Sequence, residues 1–298
     1  MKSALASVAG IAIGVTLLAG CASIEVKHPG IDTVKKVAVI SVTSNYEIGD
    51  IEAKNKQEDS SLGTLLGAAI TKAAVPSAAA EQVAIVTYGD RKIGQMFGEL
   101  NGWALVSGSA VTGNADYKAL FVKDSGNKAT NAITNGLMAI STADWVVPQG
   151  QQVIPLDNVA PQENRYVNGE RGEAPTLRNL GELCTKLGVD AVVVAEVNLA
   201  YKSTFLSNTS GTGLFANVRG KAKPVVQINV AVVNQKGELV MKSNRGWGSF
   251  EGKEVPMMFH GEVDLKDDKG ECVKGYNATI DTAVDGLKAQ ITKALGGK

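Results

Sequence analysis

An amphipathic helix pattern in this chain runs directly into a strand that has no polar face. Leu177, Leu180, Leu183, Cys184 and Leu187 recur at helical spacing, with Thr176 as the candidate N-cap and Gly188 as the stop. Asp190 then leads into Ala191-Val192-Val193-Val194-Ala195. A short run of small and β-branched residues without alternation reads as a strand buried on both faces. A β-pair follows. Val226, Ile228, Val230 and Val232 alternate with Gln227, Asn229, Ala231 and Val233, Asn234-Gln235-Lys236-Gly237 makes the turn, and Leu239 and Met241 return on the same period. The chain then ends in a helix with the apolar stripe Ile280, Ala283, Val284, Leu287, Ile291 and Leu295. Its acidic residues Asp281 and Asp285 come early and its lysines Lys288, Lys293 and Lys298 late, as the helix dipole favours.

Upstream, residues 36–42 (KVAVISV) read as a buried strand. Residues 61–74 carry Leu62, Leu65, Leu66, Ala69 and Ile70 at helical spacing, and Pro76 ends that pattern. Residues 83–88 read as a strand, 91–100 as a short helix and 103–111 as another strand. The glycine-rich stretch 44–127 is expected to be an insertion into the main domain. Residues 128–140 are helix-like, with Ile133, Leu137 and Ile140 on one side, 145–154 read as extended around Pro148, and 158–172 as a polar loop.

The N-terminus carries a different message. Lys2 is followed by an apolar run over residues 4–18, which ends in Leu18-Ala19-Gly20-Cys21. That run is short for a permanent membrane span and suits a signal peptide. Small residues before Cys21 let a peptidase reach the backbone, and the thiol accepts a diacylglyceryl group. The string resembles the bacterial lipobox. Residues 1–20 are thus expected to be a signal peptide, 21–34 a lipidated tether, and 35–298 a single α/β domain. Several acyl chains on one cysteine make a stable anchor, each buried CH₂ contributing about 0.8 kcal/mol. Ala22 rather than Asp after the cysteine implies, by the same resemblance, outer-membrane placement facing the periplasm. Of the other cysteines, Cys184 and Cys272, one bridge is the most that could form.

Lys+Arg and Asp+Glu both number 30, so no bulk field draws the chain onto nucleic acid. Catalytic signals are thin. His28 falls in the tether and His260 in a loop, with no zinc-ligand spacing around either. Ser125-Gly126-Asn127-Lys128 spells Ser-x-x-Lys, but its companion strings are absent, so it reads as a chance match at a helix cap. Asp264, Asp267 and Asp268 mix with Lys266 and Lys269 as in a solvated turn. No enzyme activity, metal or cofactor is expected, apart from the covalent lipid on Cys21. A third reading is an envelope hydrolase using Ser125 or His260.

The order strand, helix, Trp-led strand, helix-Gly-Val-Asp-strand, hairpin and last helix resembles the small α/β domain of envelope proteins. These include the curli-secretion lipoprotein (CsgG-like) family, the N-terminal domain of the Tol-Pal periplasmic protein, and lipoprotein activators of peptidoglycan synthases. The matching text is Leu187-Gly188-Val189-Asp190 with its strand, then residues 226–240, with 36–42 as the first strand. The resemblance implies a mixed sheet with helices packed on it and a binding or assembly role in an envelope or secretion system. In the curli-secretion family the region matching 201–227 opens into a membrane-spanning hairpin, so an oligomeric channel subunit is the alternative. A barrel strand needs about nine to eleven alternating residues, which the return arm barely meets and the outgoing arm does not. The preferred reading is an exposed hairpin whose Phe205, Phe215, Arg219, Lys221 and Lys223 contact a protein partner, another copy of the chain, or lipid headgroups.

Overall fold

The computed structural model describes residues 24–45, 48–50, 80–100, 102–120, 145–160, 173–203, 221–243, 249–256 and 265–296. In chain order the strands are β1 (Ile24–Val26), β2 (Lys36–Asn45), β3 (Gly49–Asp50), β4 (Ala104–Val106), β5 (Trp145–Val146), β6 (Ala191–Ser203), β7 (Lys221–Asn234), β8 (Leu239–Ser243), β9 (Ser249–Glu251) and β10 (Val255–Pro256). The helices are α1 (Ala80–Glu99), α2 (Gly108–Gly113), α3 (Ala115–Ala119), α4 (Glu173–Leu187) and α5 (Glu271–Ala294).

The apolar run at 191–195 lies at the middle of a mixed sheet of order β1-β8-β7-β6-β2-β4. β2 is parallel to both β4 and β6, while β6–β7, β7–β8 and β8–β1 are antiparallel. Alternation along the strands sorts the core into two clusters. Val37, Val193, Val197, Val230 and Val232 meet α1 and α5 on one face, and Ala38, Val192, Val194, Ala231 and Val233 meet α4 with Val111 and Tyr117 on the other. Cover on both sides explains why residues 191–195 carry no polar alternation. The chain is therefore α/β, with a mixed sheet between helices. Asp190 explains the Gly-x-Asp text: its Oδ2 accepts the amides of Lys35 and Lys36 at 2.9 and 2.8 Å, which aligns the starts of β2 and β6.

Several expectations change. Residues 83–88 are not a strand; they belong to α1, which continues without a break to Glu99. A β-branched stretch misleads there, because Ile85, Val86, Ile93, Met96 and Phe97 fall on one helical face and are buried in the core. The stretch 103–111 divides into the short edge strand β4 and helix α2, with Ser107 Oγ capping α2 by accepting from Ala110 N. Within the stretch 44–127, the described helix α1 packs beside α5 on the sheet and β4 extends the sheet from β2. Thr176 does not cap α4, which opens at Glu173.

The stretch read as a tether is folded from Ile24 onward. β1 pairs with β8, Lys27 N donates to Val240 O, and Ile31 and Val34 are buried. Cys184 and Cys272 lie in clusters on opposite faces of the sheet, so they do not bridge each other. The expected helices at 61–74 and 128–140 lie outside the described residues. At the chain's end α5 buries Ile280, Ala283, Val284, Leu287 and Ile291, as its periodicity requires.

Candidate functional site

All 13 residues of β6 pair with β7, from Ala191 opposite Asn234 to Ser203 opposite Ala222. On the α4 side, beyond that helix's apolar cluster, this ribbon turns polar. Glu196 faces Asn229, Asn198 faces Gln227, and Lys202 faces Lys223. β9 joins the same ladder, placing Glu251 opposite Val225. Lys202 and Lys223 lie 3.4 and 3.7 Å from Glu251, and Lys221 lies 3.6 Å from Glu254. Of the contact residues named from sequence, the structure brings Lys221 and Lys223 together at the ribbon end. Phe205, Phe215 and Arg219 lie outside the described residues, as do Cys21, Ser125 and His260. These ion pairs are solvated, each worth about 0–1 kcal/mol, so they shape the surface more than they hold the fold.

The ribbon end is backed by a helix held at close range. α5 carries glycine where β9 and β10 cross it: a Cβ at Gly275 would strike Val255, and one at Gly286 would strike Phe250. Asp267 caps this helix, accepting from Glu271 N at 2.7 Å and from Cys272 N at 3.0 Å. The mixed-charge stretch at 264–269 thus includes a helix cap. Among the described residues no group of acids, histidines or cysteines is placed to hold a metal ion.

A second polar cluster, which sequence reasoning missed, lies at the carboxyl end of β2. A strand flanked by parallel neighbours on both sides usually opens a ligand crevice there. Here the chain fills it. β5 pairs antiparallel with Ser44 and Asn45, and the segment after it folds back along β2. Tyr117 Oη donates to Ile40 O at 2.6 Å and accepts from Gln152 N at 2.7 Å. Ser41 Oγ donates to Gln152 O and accepts from Ile154 N. Gln151 accepts from Val42 N through Oε1 and donates through Nε2 to Asp90 at 2.9 Å. Asn45 closes a pair of bonds with the backbone of Leu199.

Burial pushes the Tyr117 phenol up to about 12, with the backbone of Gln152 opposing the shift and nearby Asp90 adding to it. Burial also raises the Asp90 carboxyl, against the Gln151 hydrogen bond. The Cys184 thiol is pushed up to about 12 by burial, which leaves it a poor nucleophile. The sequence signal for this cluster was the switch from apolar to polar residues at Ser41, Thr43, Ser44 and Asn45 within one strand.

No family model matches the chain, and no curated protein matches it. Among solved structures, the hypothetical protein CT253 from Chlamydia trachomatis is 11% identical, with 87% of this chain and 99% of that chain covered at a TM-score of 0.32. A likeness at that level carries no argument about fold or activity.

Proposed function

We propose that the chain is a bacterial lipoprotein held at the periplasmic side of the outer membrane by acyl groups on Cys21. Its α/β domain serves as a non-catalytic binding and assembly component of an envelope or secretion system. The observation that carries this reading is the apolar run closed by Leu18-Ala19-Gly20-Cys21, with the first strand of the folded domain opening at Ile24. Processing before Cys21 would remove the signal and keep every described element from β1 onward. The helix-Gly-Val-Asp-strand and hairpin arrangement supports kinship with the CsgG-like envelope domains. The Asp90–Gln151–Tyr117 cluster is committed to its own backbone, which favours a binding role for the exposed ribbon end over chemistry in a crevice. Labelled palmitate should enter the wild-type protein and not Cys21→Ser, and only the wild type should fractionate with outer membranes. A Cys21→Ser protein that still sediments there would overturn the reading.

The uninterrupted β6–β7 ribbon favours a second reading, a channel subunit in which several copies contribute hairpins to one barrel. Rings in detergent extracts or conductance in planar bilayers would support it, and a detergent-solubilised monomer without conductance would reject it.

A further inference from the structure

Tracing β1 back toward Cys21 shows which margin of the sheet is nearest the anchor. Ile24 pairs with Ser243 on β8, and Ser243 Oγ accepts from Val230 N on β7 at 2.8 Å, so all three lie at one level. β1 and β7 are both antiparallel to β8 and so run the same way. The upstream end of β1 therefore points toward the Lys221 end of β7 and away from the turn at 234–237. Cys21 stands three residues before Ile24, and three residues reach about 10 Å at most. From the Val230 level to Lys221 is nine residues, about 30 Å of strand. An anchor at Cys21 therefore stays within about 10 Å of Ile24, partway along the β1–β8 margin, and the Lys221 end lies at least roughly 20 Å from it.

Such a leash leaves the domain few postures. Standing upright on the membrane, the sheet would drive Lys221, Lys223, Glu251 and Glu254 into hydrocarbon, which is costly for charged side chains. Hanging free below it would need slack that three residues lack. We propose that the domain leans on the bilayer at the corner formed by the upstream end of β1 and the β9–β10 segment, with β7 inclined to the membrane so that its Lys221 end is the nearer. The Lys221 end then rests among phospholipid headgroups, and the turn at 234–237 faces the periplasm. This orientation rests on acylation of Cys21. The margin suits the contact: Lys221 pairs with Glu254 and Lys223 with Glu251, all but Val255 of residues 251–255, Lys253 included, is at least partly exposed, and the glycine notches of α5 hold the segment in place.

The test uses the full acylated protein in vesicles of phosphatidylethanolamine and phosphatidylglycerol. Lys253→Cys and Lys236→Cys each accept an environment-sensitive dye, because Cys184 and Cys272 are buried and acylation blocks the Cys21 thiol. A headgroup spin label should quench the dye at 253 at least about threefold more than at 236, since about 45 Å of strand separates the two ends. A flexible Gly/Ser insert of about 15 residues between Ala22 and Ser23 should bring that ratio close to one. Equal quenching in the uninserted protein, or stronger quenching at 253 by a mid-chain label than by the headgroup label, overturns the orientation. A Cys21 peptide whose mass lacks acyl groups overturns the anchoring reading and the orientation together. Acylation with equal quenching overturns the orientation alone.

Discussion

Tyr117 joins three segments through one hydroxyl, tying α3 to the carbonyl of Ile40 and the amide of Gln152. Tyr117→Phe leaves the buried Ile40 carbonyl without this donor and the part-buried Gln152 amide without its acceptor, and should cost about 1–3 kcal/mol in urea unfolding at neutral pH. The same residue sets a pH window. Its proton is held more tightly in the fold than in the open chain, so its share of stability is complete below pH 10.0 and lost as pH rises toward about 12. Tyr276 is shifted in the same direction by burial. Tyr117→Phe should therefore lose stability less steeply than wild type across this window; equal slopes would reject the assignment. Asp90 behaves alike at acid pH. Its raised carboxyl favours the protonated form, with stability present below pH 3.8 and lost as pH rises through the raised value. Asp90→Asn keeps an acceptor for Gln151 and carries no charge. Its unfolding midpoint should exceed the wild type's at neutral pH and match it below pH 3.8. None of this cluster was legible residue by residue. Tyr117, Asp90 and Gln151 are far apart in sequence and belong to no motif, and only the polar end of β2 hinted that something must satisfy it.

At the scale of elements, α4 meets the β7–β8 turn with no room for a methyl group. A Cβ on Gly181 would stand 2.5 Å from Gly237 N and 2.9 Å from Gln235 O. Backbone on the far side cannot swing away as a side chain can. Gly181→Ala should thus lift α4 from the turn and destabilise the fold by about 1–3 kcal/mol. Gly108→Ala, where a Cβ meets nothing within 4 Å, should stay within about 0.5 kcal/mol of wild type. Matching midpoints for the two variants would remove this account of the packing. The elements most legible in sequence were those whose pattern and burial agree. α4, β6, the β7–β8 hairpin and α5 are such cases, and Gly237 at the end of that turn has a positive φ of 73°. α1 was misread because Val83, Ile85 and Val86 suit a strand locally, and only the later apolar positions show the helical period. β9 and β10 were not legible as strands, being held by pairing to β7 and by glycines on α5 far along the chain.

At the scale of the whole molecule, the segment before β2 decides how the domain relates to its anchor. Read from sequence, His28-Pro29-Gly30 looked like slack, because turn residues and a short apolar triplet resemble a linker. In the fold, Ile24 and Val26 pack on the core, Ile31 and Val34 are buried, and Glu25 lies 3.1 Å from Lys242 across the β1–β8 pair. Each fully buried Ile or Val contributes about 1.5–3 kcal/mol before the entropy of ordering its backbone is subtracted. Removing β1 also bares the edge of β8, and an unpaired edge invites association with other chains. A soluble chain starting at Ser23 should therefore unfold at the same urea concentration as the protein released from its lipid. One starting at Lys35 should unfold at a lower concentration and self-associate during gel filtration. If the shorter chain matched the longer in midpoint and stayed monomeric, residues 24–34 would be the loose leash that their composition suggests, and the domain would have freedom to swing beneath the membrane.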